Sequence, residues 1–459
     1  MYTLITLSTL GFLTLMVGVF KRNSILLPLT LLGLTLAFVL NCLDIKVDQL
    51  YYVSMMGDDM FAVSFTQVMI ATTALIALLA HYQFKGDMSN AGEFYTILIF
   101  TLIGAQVMVS FNHMVMFFIG IEILSISLYI LAGLNKKDKA SNEAALKYFL
   151  IGSFASGFLL MGIALVYAAT HSLYIGDIAE KVRAGSEMSS PILIVGLLLI
   201  LVGMAFKISA APFHFWAPDV YEGSPTLVTS FMATVVKTAA IASFLRLFFI
   251  CFGSIGNEWT NVLTVLAILT MSIGNITALY QKNFKRLLAY SGISHAGFLL
   301  IGVIVYANSA GAVLYYSIAY SLASLTAFTI LIFLSSKNGD TAITSFNGLG
   351  KRNPWLAVAM TIAMLSLAGI PPTAGFFGKY YLFNLAIRDG QWWLVGFGLL
   401  NSLISVYYYF WIIICMFVKE PADETKLQSE WSSLLVVTVT AIGILAIGFI
   451  PEQIITLIK

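Results

Sequence analysis

Apolar runs of about 18 to 25 residues alternate with short charged segments along almost the whole chain. Runs of this length match the roughly 20 helical residues that cross the hydrocarbon core of a bilayer. The runs do not alternate apolar and polar residues with period two, which excludes a membrane barrel. The pattern predicts fourteen helical spans, at 2–20, 25–42, 61–80, 94–111, 114–134, 147–170, 191–211, 225–252, 261–280, 287–306, 309–334, 355–387, 392–418 and 431–456.

Two of these spans, the seventh and the twelfth, are interrupted by residues that break helices. Pro212 and Pro218 follow the seventh run, and the twelfth contains AGIPPTAGFFGK. Interrupted helices at corresponding places in two halves are typical of transporters built from inverted repeats. We therefore predict one all-α membrane domain, 1–459, with a first five-helix repeat at 94–252 (spans four to eight) and a second, inverted repeat at 261–418 (spans nine to thirteen).

Composition and charge support this polytopic membrane class. The chain is 59% hydrophobic and 10% charged, whereas soluble domains carry roughly 25% charged residues. Net charge is only +2, which excludes nucleic acid as a plausible partner. With loops assigned alternately to two sides, fifteen lysines and arginines fall on one side and five on the other. The positive-inside rule makes the first side cytoplasmic, and an even number of spans places both termini on the opposite, periplasmic side.

Four charged residues lie within or beside the predicted spans. Glu122 is near the middle of the fifth span and Lys237 is deep in the eighth. The depth of Lys207 and Lys379 depends on how the two interrupted helices end, so each faces either an internal cavity or the surface. A charge at bilayer depth costs at least about 2.5 kcal/mol and usually marks an ion path. Burial lowers the pKa of a lysine and a nearby carboxylate raises it again, which suits a proton relay.

A structural interpretation of the same residues stays open. Glu122 could be protonated, or its carboxyl could bond a hydroxyl such as that of Ser125. Arg246, nine residues beyond Lys237, is interpreted as a side chain that reaches toward the membrane surface. Two histidines are secondary relay candidates because imidazole titrates near neutral pH. His214 lies beside the first interruption and His295 in the middle of the tenth span.

The chain carries no recognisable signal for a bound cofactor or metal. The three cysteines are scattered in apolar segments without a CxxC pair. A dinucleotide fingerprint, a P-loop, a haem-attachment motif and a metal-spaced cluster of histidines and cysteines are all missing from the sequence. We therefore predict neither cofactor-binding nor metal-binding residues here, and we expect any redox cofactor of the process to be held by another chain.

Four segments resemble the antiporter-like membrane subunits of respiratory complex I. They are PFHFWAPDVYEGSPT at 212–226, KTAA from Lys237, FKRLLAYSGISHAG at 284–297 and AGIPPTAGFFGKYYLF at 368–383. Within that family, WAPDVYEGSP is similar to the subunit N branch. The lysine at position 379 argues against subunit M, which tends to carry glutamate there. The resemblance also implies the fourteen-span fold and a bacterial inner (plasma) membrane.

The resemblance implies a proton-translocating subunit of NADH:quinone oxidoreductase, a translocase. Glu122 would tune the pKa of Lys207, Lys237 would be the central relay residue, and Lys379 would connect to the exit. NADH, FMN, iron–sulfur clusters and quinone would be held by partner subunits, and the neighbours would include subunit M and the small subunits J and K. The alternatives are a subunit of a multi-subunit sodium/proton antiporter, a subunit of a hydrogenase-linked ion-pumping complex, and an inert membrane scaffold.

Overall fold

The structure is a computed structural model that describes residues 1–44, 50–51, 54–84, 88–184, 190–306, 308–335, 339–421 and 430–456. Five of the lysines counted above (Lys46, Lys85, Lys337, Lys426 and Lys459) lie outside these residues. A small hairpin pairs β1 (Leu50–Tyr51) with β2 (Met56–Gly57). The helices of the described residues are α1 (Tyr2–Val19), α2 (Leu26–Asp44), α3 (Met60–Gln83), α4 (Ala91–Ser110), α5 (Met114–Ala132), α6 (Lys139–Thr170), α7 (Ile175–Arg183), α8 (Pro191–Lys207), α9 (Trp216–Gly223), α10 (Thr226–Phe231), α11 (Lys237–Phe252), α12 (Gly256–Ala278), α13 (Phe284–Val305), α14 (Ala310–Ser335), α15 (Leu349–Arg352), α16 (Pro354–Ala368), α17 (Ala374–Arg388), α18 (Trp392–Phe417), α19 (Trp431–Phe449) and α20 (Pro451–Ile455).

The described residues contain eleven helical segments that are long and apolar enough to cross a membrane. One of them, Thr226–Ala278, holds two crossings. The chain reverses direction near its middle, where the Trp259 ring packs 5.0 Å from that of Phe248 and its Nε1 donates to the Phe252 carbonyl. Counting each interrupted helix as one further crossing gives fourteen spans, which confirms the predicted topology.

Both interruptions have the same local construction. α8 ends at Lys207 and is followed by Ser209 with a φ of 62°, while α16 ends at Ala368 and is followed by Gly369 with a φ of 83°. A residue in the left-handed region ends a helix by folding the chain back, so that the next N–H bonds a carbonyl five residues earlier. Ala210 N donates to the Ala205 carbonyl at 2.8 Å, and Ile370 N donates to the Leu365 carbonyl at 3.0 Å. A proline follows three residues later in each case, and it cannot donate a helical hydrogen bond.

Pro218 does not interrupt a helix, contrary to the prediction. It is the third residue of α9, which begins at Trp216. The first four N–H groups of a helix have no partner within it, so a proline is tolerated there. The interruption of the seventh span is therefore confined to the segment 208–215.

The bundle has two ends. We call the basic end the one that carries the α5–α6 segment 133–138, the α12–α13 segment 279–283 and α15, with Lys136, Lys137, Lys282, Lys351 and Arg352. The far end carries the α4–α5 link 111–113, α7 and the α11–α12 link. Single β-bridges join Met56 to Phe111 and His113 to Tyr174 at the far end.

The two predicted repeats share the same helix contacts. α4 packs on α5, α6 on α8 and α4 on α11 in the first, as α12 packs on α13, α14 on α16 and α12 on α18 in the second. Glycines allow the first two helices of each repeat to approach closely. A Cβ at Gly104 on α4 would lie 2.6 Å from the Leu124 nitrogen on α5, and a Cβ at Gly274 on α12 would lie 2.6 Å from the Ser294 nitrogen on α13. Both pairs are twenty residues apart. These contacts support repeats at 94–252 and 261–418, which we retain as a proposal.

Candidate proton-transfer site

The first cluster joins Lys207 to α5. Lys207 is buried, and its Nζ donates to Ser125 Oγ at 2.8 Å and lies 6.0 Å from the centre of the Tyr148 ring. Ser125 in turn donates to the Ile121 carbonyl at 2.5 Å. Glu122 precedes Ser125 by three residues, on the same face of α5. The Ser125 hydroxyl therefore bonds the lysine and not the Glu122 carboxyl, which contradicts one of the two structural interpretations of Glu122, the bond to Ser125.

Glu122 itself is only partly buried, and it opens toward the side of the bundle. It lines an apolar groove of about 430 Å³ between α4 and α5, together with Ile97, Phe100, Phe118 and Ile126. Its Oε1 is buried and has no hydrogen-bond partner among the described residues. An unpaired buried carboxylate oxygen is costly. Glu122 lies one helical turn before Ser125, the residue that accepts from Lys207, and the predicted pair of Glu122 and Lys207 is not a contact ion pair.

The second cluster is centred on Lys237. This residue begins α11 directly after the π-helical segment Met232–Val236, and such segments are frequent at functional sites. Its buried Nζ donates to the Gly292 carbonyl on α13 and lies 5.4 Å from the centre of the Tyr320 ring. A Cβ on residue 292 would lie 3.0 Å from that Nζ and 2.9 Å from the Tyr320 hydroxyl. Glycine at this position is what lets the lysine reach the backbone.

Lys379 binds the end of the half-helix α16. Its Nζ donates to the carbonyls of Leu367 at 3.3 Å and Ala368 at 2.9 Å, and to Ser402 Oγ at 2.9 Å. The last carbonyls of a helix lack intrahelical partners and carry the negative end of its dipole. Lys379 is therefore held at the second interruption in the bundle interior, which answers the question its sequence position left open.

His295 lies between the second and third lysines and is bonded through both ring nitrogens. Nδ1 is 2.7 Å from the Tyr316 hydroxyl and Nε2 is 3.1 Å from the Tyr409 hydroxyl. The Tyr409 hydroxyl also bonds Ser291 Oγ. A neutral imidazole has one donor and one acceptor nitrogen, and each hydroxyl can serve either role. A proton can therefore enter at one hydroxyl and leave at the other with a change of tautomer.

His214 is also buried, in the interruption after α8. Its ring lies 4.4 Å from that of Phe215, and its Nδ1 has no hydrogen-bond partner among the described residues. Within the described part of the chain, no hydrogen bond or ion pair joins His214 to Lys207 or to Lys237. The structure thus places His214 near the first interruption without connecting it to either lysine.

One face of α13 organises the second half of the site. Gly292, His295 and Phe298 follow at three-residue spacing, and Phe298 lies under Lys379, with its ring centre 4.8 Å from Nζ. Lys237, His295 and Lys379 are therefore gathered around α13, as Glu122 and Lys207 are gathered around α5. α8 packs on α11, which brings the two groups next to each other.

A network of ion pairs fixes α9 at the basic end. Asp219 on α9 bonds Lys147 on α6 at 3.0 Å and Arg286 on α13 at 2.9 Å, and Arg286 also bonds Glu222 at 2.9 Å. Burial acts to raise the pKa of Asp219, but the hydrogen bonds from Lys147 and Arg286 outweigh it and hold the pKa below 3.8. Asp219 is therefore ionised at neutral pH and ties the helix after the interruption to both repeats.

The chain is similar to known proteins over its full length. Residues 111–405 match the family described as NADH:quinone oxidoreductase/Mrp antiporter, TM. NADH-quinone oxidoreductase subunit N of Flavobacterium johnsoniae is 41% identical over 100% of both chains, and that of Trichlorobacter lovleyi is 40% identical over 98% of this chain and 94% of its own. The chain belongs to the subunit N family of NADH-quinone oxidoreductases. The resemblance noted in four sequence segments is thereby confirmed.

Solved structures agree with membership of the subunit N family. A chain of Thermus thermophilus respiratory complex I with bound aureothin has a TM-score of 0.85 and 33% identity, covering 99% of this chain and 98% of its own. A chain of the archaeal membrane-bound sulfane sulfur reductase has a TM-score of 0.87 at 26% identity, covering 99% of this chain and 95% of its own. A chain of the Mrp complex from Dietzia reaches 0.87 at 19% identity, covering 99% and 94%, which shows the shared fold alone.

Several residues that bond Lys379 and His295 were missed from the sequence. Ser402 bonds Lys379, Tyr316 and Tyr409 bond His295, and Ser291 bonds Tyr409. Each is a polar residue within an apolar span, but each has another polar residue beside it in the sequence. Gly292 gave no signal, because its contribution is a backbone carbonyl. Burying a polar group in the interior of a membrane bundle costs free energy unless the group is hydrogen-bonded. The mid-span positions of these four residues could therefore have predicted bonded groups in the interior.

Proposed function

We propose that this subunit moves protons through a relay of Glu122, Lys207, Lys237 and Lys379, coupled to quinone reduction by NADH elsewhere in the complex. The observation that carries the proposal is the environment of the lysines. Each buried Nζ is bonded to a neutral oxygen, of Ser125, Gly292 or Ala368, and none forms an ion pair among the described residues. A lysine without a fixed counter-ion can gain and lose a proton, whereas an ion-paired one is held charged.

The contacts suggest an order for the transfer. Glu122 is the charged group open to the side of the bundle, so it is the one a neighbouring subunit can influence. A change of charge there acts on Lys207 electrostatically, because Glu122 lies one helical turn from Ser125, which accepts from Lys207. Lys237 passes its proton toward His295, whose two tyrosine partners lead on to the region of Lys379. In coupled pairs of this kind, the charge of one site sets the proton affinity of the next.

We further propose the setting of this reaction. The subunit lies in the bacterial inner membrane with its basic end toward the cytoplasm and both termini on the periplasmic side. Its partners are the other membrane-arm subunits, with subunit M and the small subunits J and K as neighbours. NADH, FMN, iron–sulfur clusters and quinone are held by other subunits, and this chain supplies only proton-carrying side chains.

The test measures proton transport by the assembled complex in sealed vesicles supplied with NADH. Lys207→Met and Glu122→Gln are expected to abolish or strongly reduce acidification, while Lys137→Met, an exposed lysine at the basic end, leaves it unchanged. Unchanged transport in Lys207→Met would exclude the relay and favour an inert scaffold. Copurification addresses the alternative of a sodium/proton antiporter, since flavin and iron–sulfur absorbance with the tagged chain is expected only for the oxidoreductase.

A further inference from the structure

Arg246 is a buried cation at the far end of α11, and the relay described above does not use it. It lies nine residues beyond Lys237 on a continuous helix, roughly 13 Å along the axis. Its residue exposure is 5%, so the side chain points toward the far end but its guanidinium is covered by protein groups there and is not in open solvent. An arginine is not deprotonated in proteins, so this side chain is a permanent positive charge inside the bundle.

Every nitrogen of the guanidinium is bonded at the far end, two to the α4–α5 link and one to the residue before α3. Nε donates to the Phe111 carbonyl at 3.0 Å, one terminal nitrogen donates to Asp59 Oδ2 at 2.6 Å, and the other donates to Asn112 Oδ1 at 3.0 Å. The rings of Phe61 and Phe111 pack against it at 5.9 and 5.8 Å. Asp59 is 44% exposed, whereas the arginine side chain is 4% exposed. The pair therefore spans the boundary between far-end solvent and the interior.

Buried polar groups without partners lie between α3 and α4, inward from this pair. Tyr95 on α4 donates to the Ala77 carbonyl on α3, which fixes the register of the two antiparallel helices. Gln106 lies eleven residues after Tyr95 and Thr66 eleven residues before Ala77, and eleven residues are close to three turns. Gln106 and Thr66 thus share one level of the α3–α4 interface.

These groups point to water in the interface. Gln106 is fully buried, and both its amide nitrogen and its amide oxygen lack hydrogen-bond partners, as does Thr66 Oγ1. Ser110 Oγ, one turn nearer the far end on α4, is also unpaired. Buried polar groups are almost always bonded to protein or to ordered water. We call Thr66, Gln106 and Ser110 the α3–α4 seam.

We propose that Arg246 is an electrostatic seal that keeps protons of the far-end solution out of a hydrated α3–α4 seam. The proposal rests on the proposed proton-translocating function, because a seal matters only where a proton gradient is built across the membrane. Protons accumulate at the far end during pumping, and a hydrated seam would let them return. A fixed cation in a pore excludes protons electrostatically while the groups inward from it stay hydrated.

The test is passive proton conductance, measured without NADH, in liposomes that hold the purified complex and an internal pH dye under an imposed potential. The double variant Arg246→Gln with Asp59→Asn removes the cation without leaving a carboxylate unpaired, so it is expected to assemble. We expect its conductance to rise about tenfold, as for the loss of about 1.4 kcal/mol of barrier. Arg246→Lys and Asp59→Asn alone both keep a cation and are expected to stay at the wild-type conductance.

The outcomes separate the seal from simpler roles. Wild-type conductance in the assembled double variant overturns the proposal. A leak in Arg246→Lys as large as in the double variant also overturns it, because the role is then packing and not charge. Adding Gln106→Leu to the double variant should suppress the leak, and an undiminished leak would overturn the route through the seam. The proposed relay is tested by a different experiment. NADH-driven proton transport that persists in Lys207→Met would contradict the relay without bearing on the seal.

Discussion

Replacing Gly292 with alanine is expected to disturb proton transfer at Lys237 while leaving α13 folded. The new methyl group would lie 3.0 Å from Lys237 Nζ and 2.9 Å from the Tyr320 hydroxyl. Both are end atoms of side chains that can rotate away, so the cost in folding is small. The lysine then loses its bond to the Gly292 carbonyl.

The size of the effect follows from that bond. A hydrogen bond to a charged group contributes about 1.5 to 3 kcal/mol, and each 1.36 kcal/mol is a factor of ten. The balance between the protonated and deprotonated lysine should therefore change about 10- to 150-fold. We expect NADH-driven proton transport to fall by about tenfold or more when this step limits the rate.

The assay compares NADH-driven acidification of vesicles with the amount of assembled complex. Gly157→Ala on α6 is the matched control. It also replaces a helical glycine with alanine, but a Cβ at position 157 would meet no atom within 4 Å. The control should pump like the wild type. If Gly292→Ala assembles normally and pumps at the wild-type rate, the contact between Lys237 and Gly292 has no part in the mechanism.

Four further substitutions test other parts of the site. Tyr409→Phe removes the hydroxyl between His295 and Ser291, so proton transport should slow about tenfold with assembly unchanged; full activity would remove Tyr409 from the path. Ser402→Ala takes one of three acceptors from Lys379 and leaves the two carbonyls, so it should slow transport only about fivefold, for a net loss near 1 kcal/mol. Lys379→Met should stop transport, and equal effects of the two variants would contradict this ranking. Asp219 has a lowered pKa, so its stabilising effect is present above pH 3.8 and is lost as the pH falls through the pKa of the folded state. The melting temperature of Asp219→Asn should therefore approach that of the wild type in acid. A difference in melting temperature that does not change with pH would argue against the ion pairs.

The spans and the two interruptions could be predicted from the sequence because they depend on local chemistry. Runs of apolar residues set the crossings, and the AGIPPTAGFFGK segment marked the second interruption where α16 ends at Ala368. Pro218 was misread because a proline is harmless in the first turn of a helix and harmful later. Helix starts are not visible in composition alone, so the beginning of α9 at Trp216 could not be located.

The environment of the charged residues was less predictable, because it depends on distant parts of the chain. Lys237 was placed correctly in the interior by its depth. Its acceptor, the Gly292 carbonyl, is 55 residues away and is supplied by the backbone, which leaves no trace in the residue types. The burial of Arg246 was not predicted, since its partners Asp59 and Asn112 lie 187 and 134 residues away. Distance to a span end predicted the direction of the side chain, whereas tertiary contacts cover its guanidinium.

The relay itself is tested most directly by the number of protons translocated per NADH oxidised in sealed vesicles that contain the assembled complex with Lys237→Met. We expect this number to fall below the wild-type value, or NADH oxidation and proton transport to stop together because they are coupled. Lys137→Met should match the wild type in both quantities. An assembled Lys237→Met complex with the wild-type rate and the wild-type ratio would contradict proton transfer through this lysine.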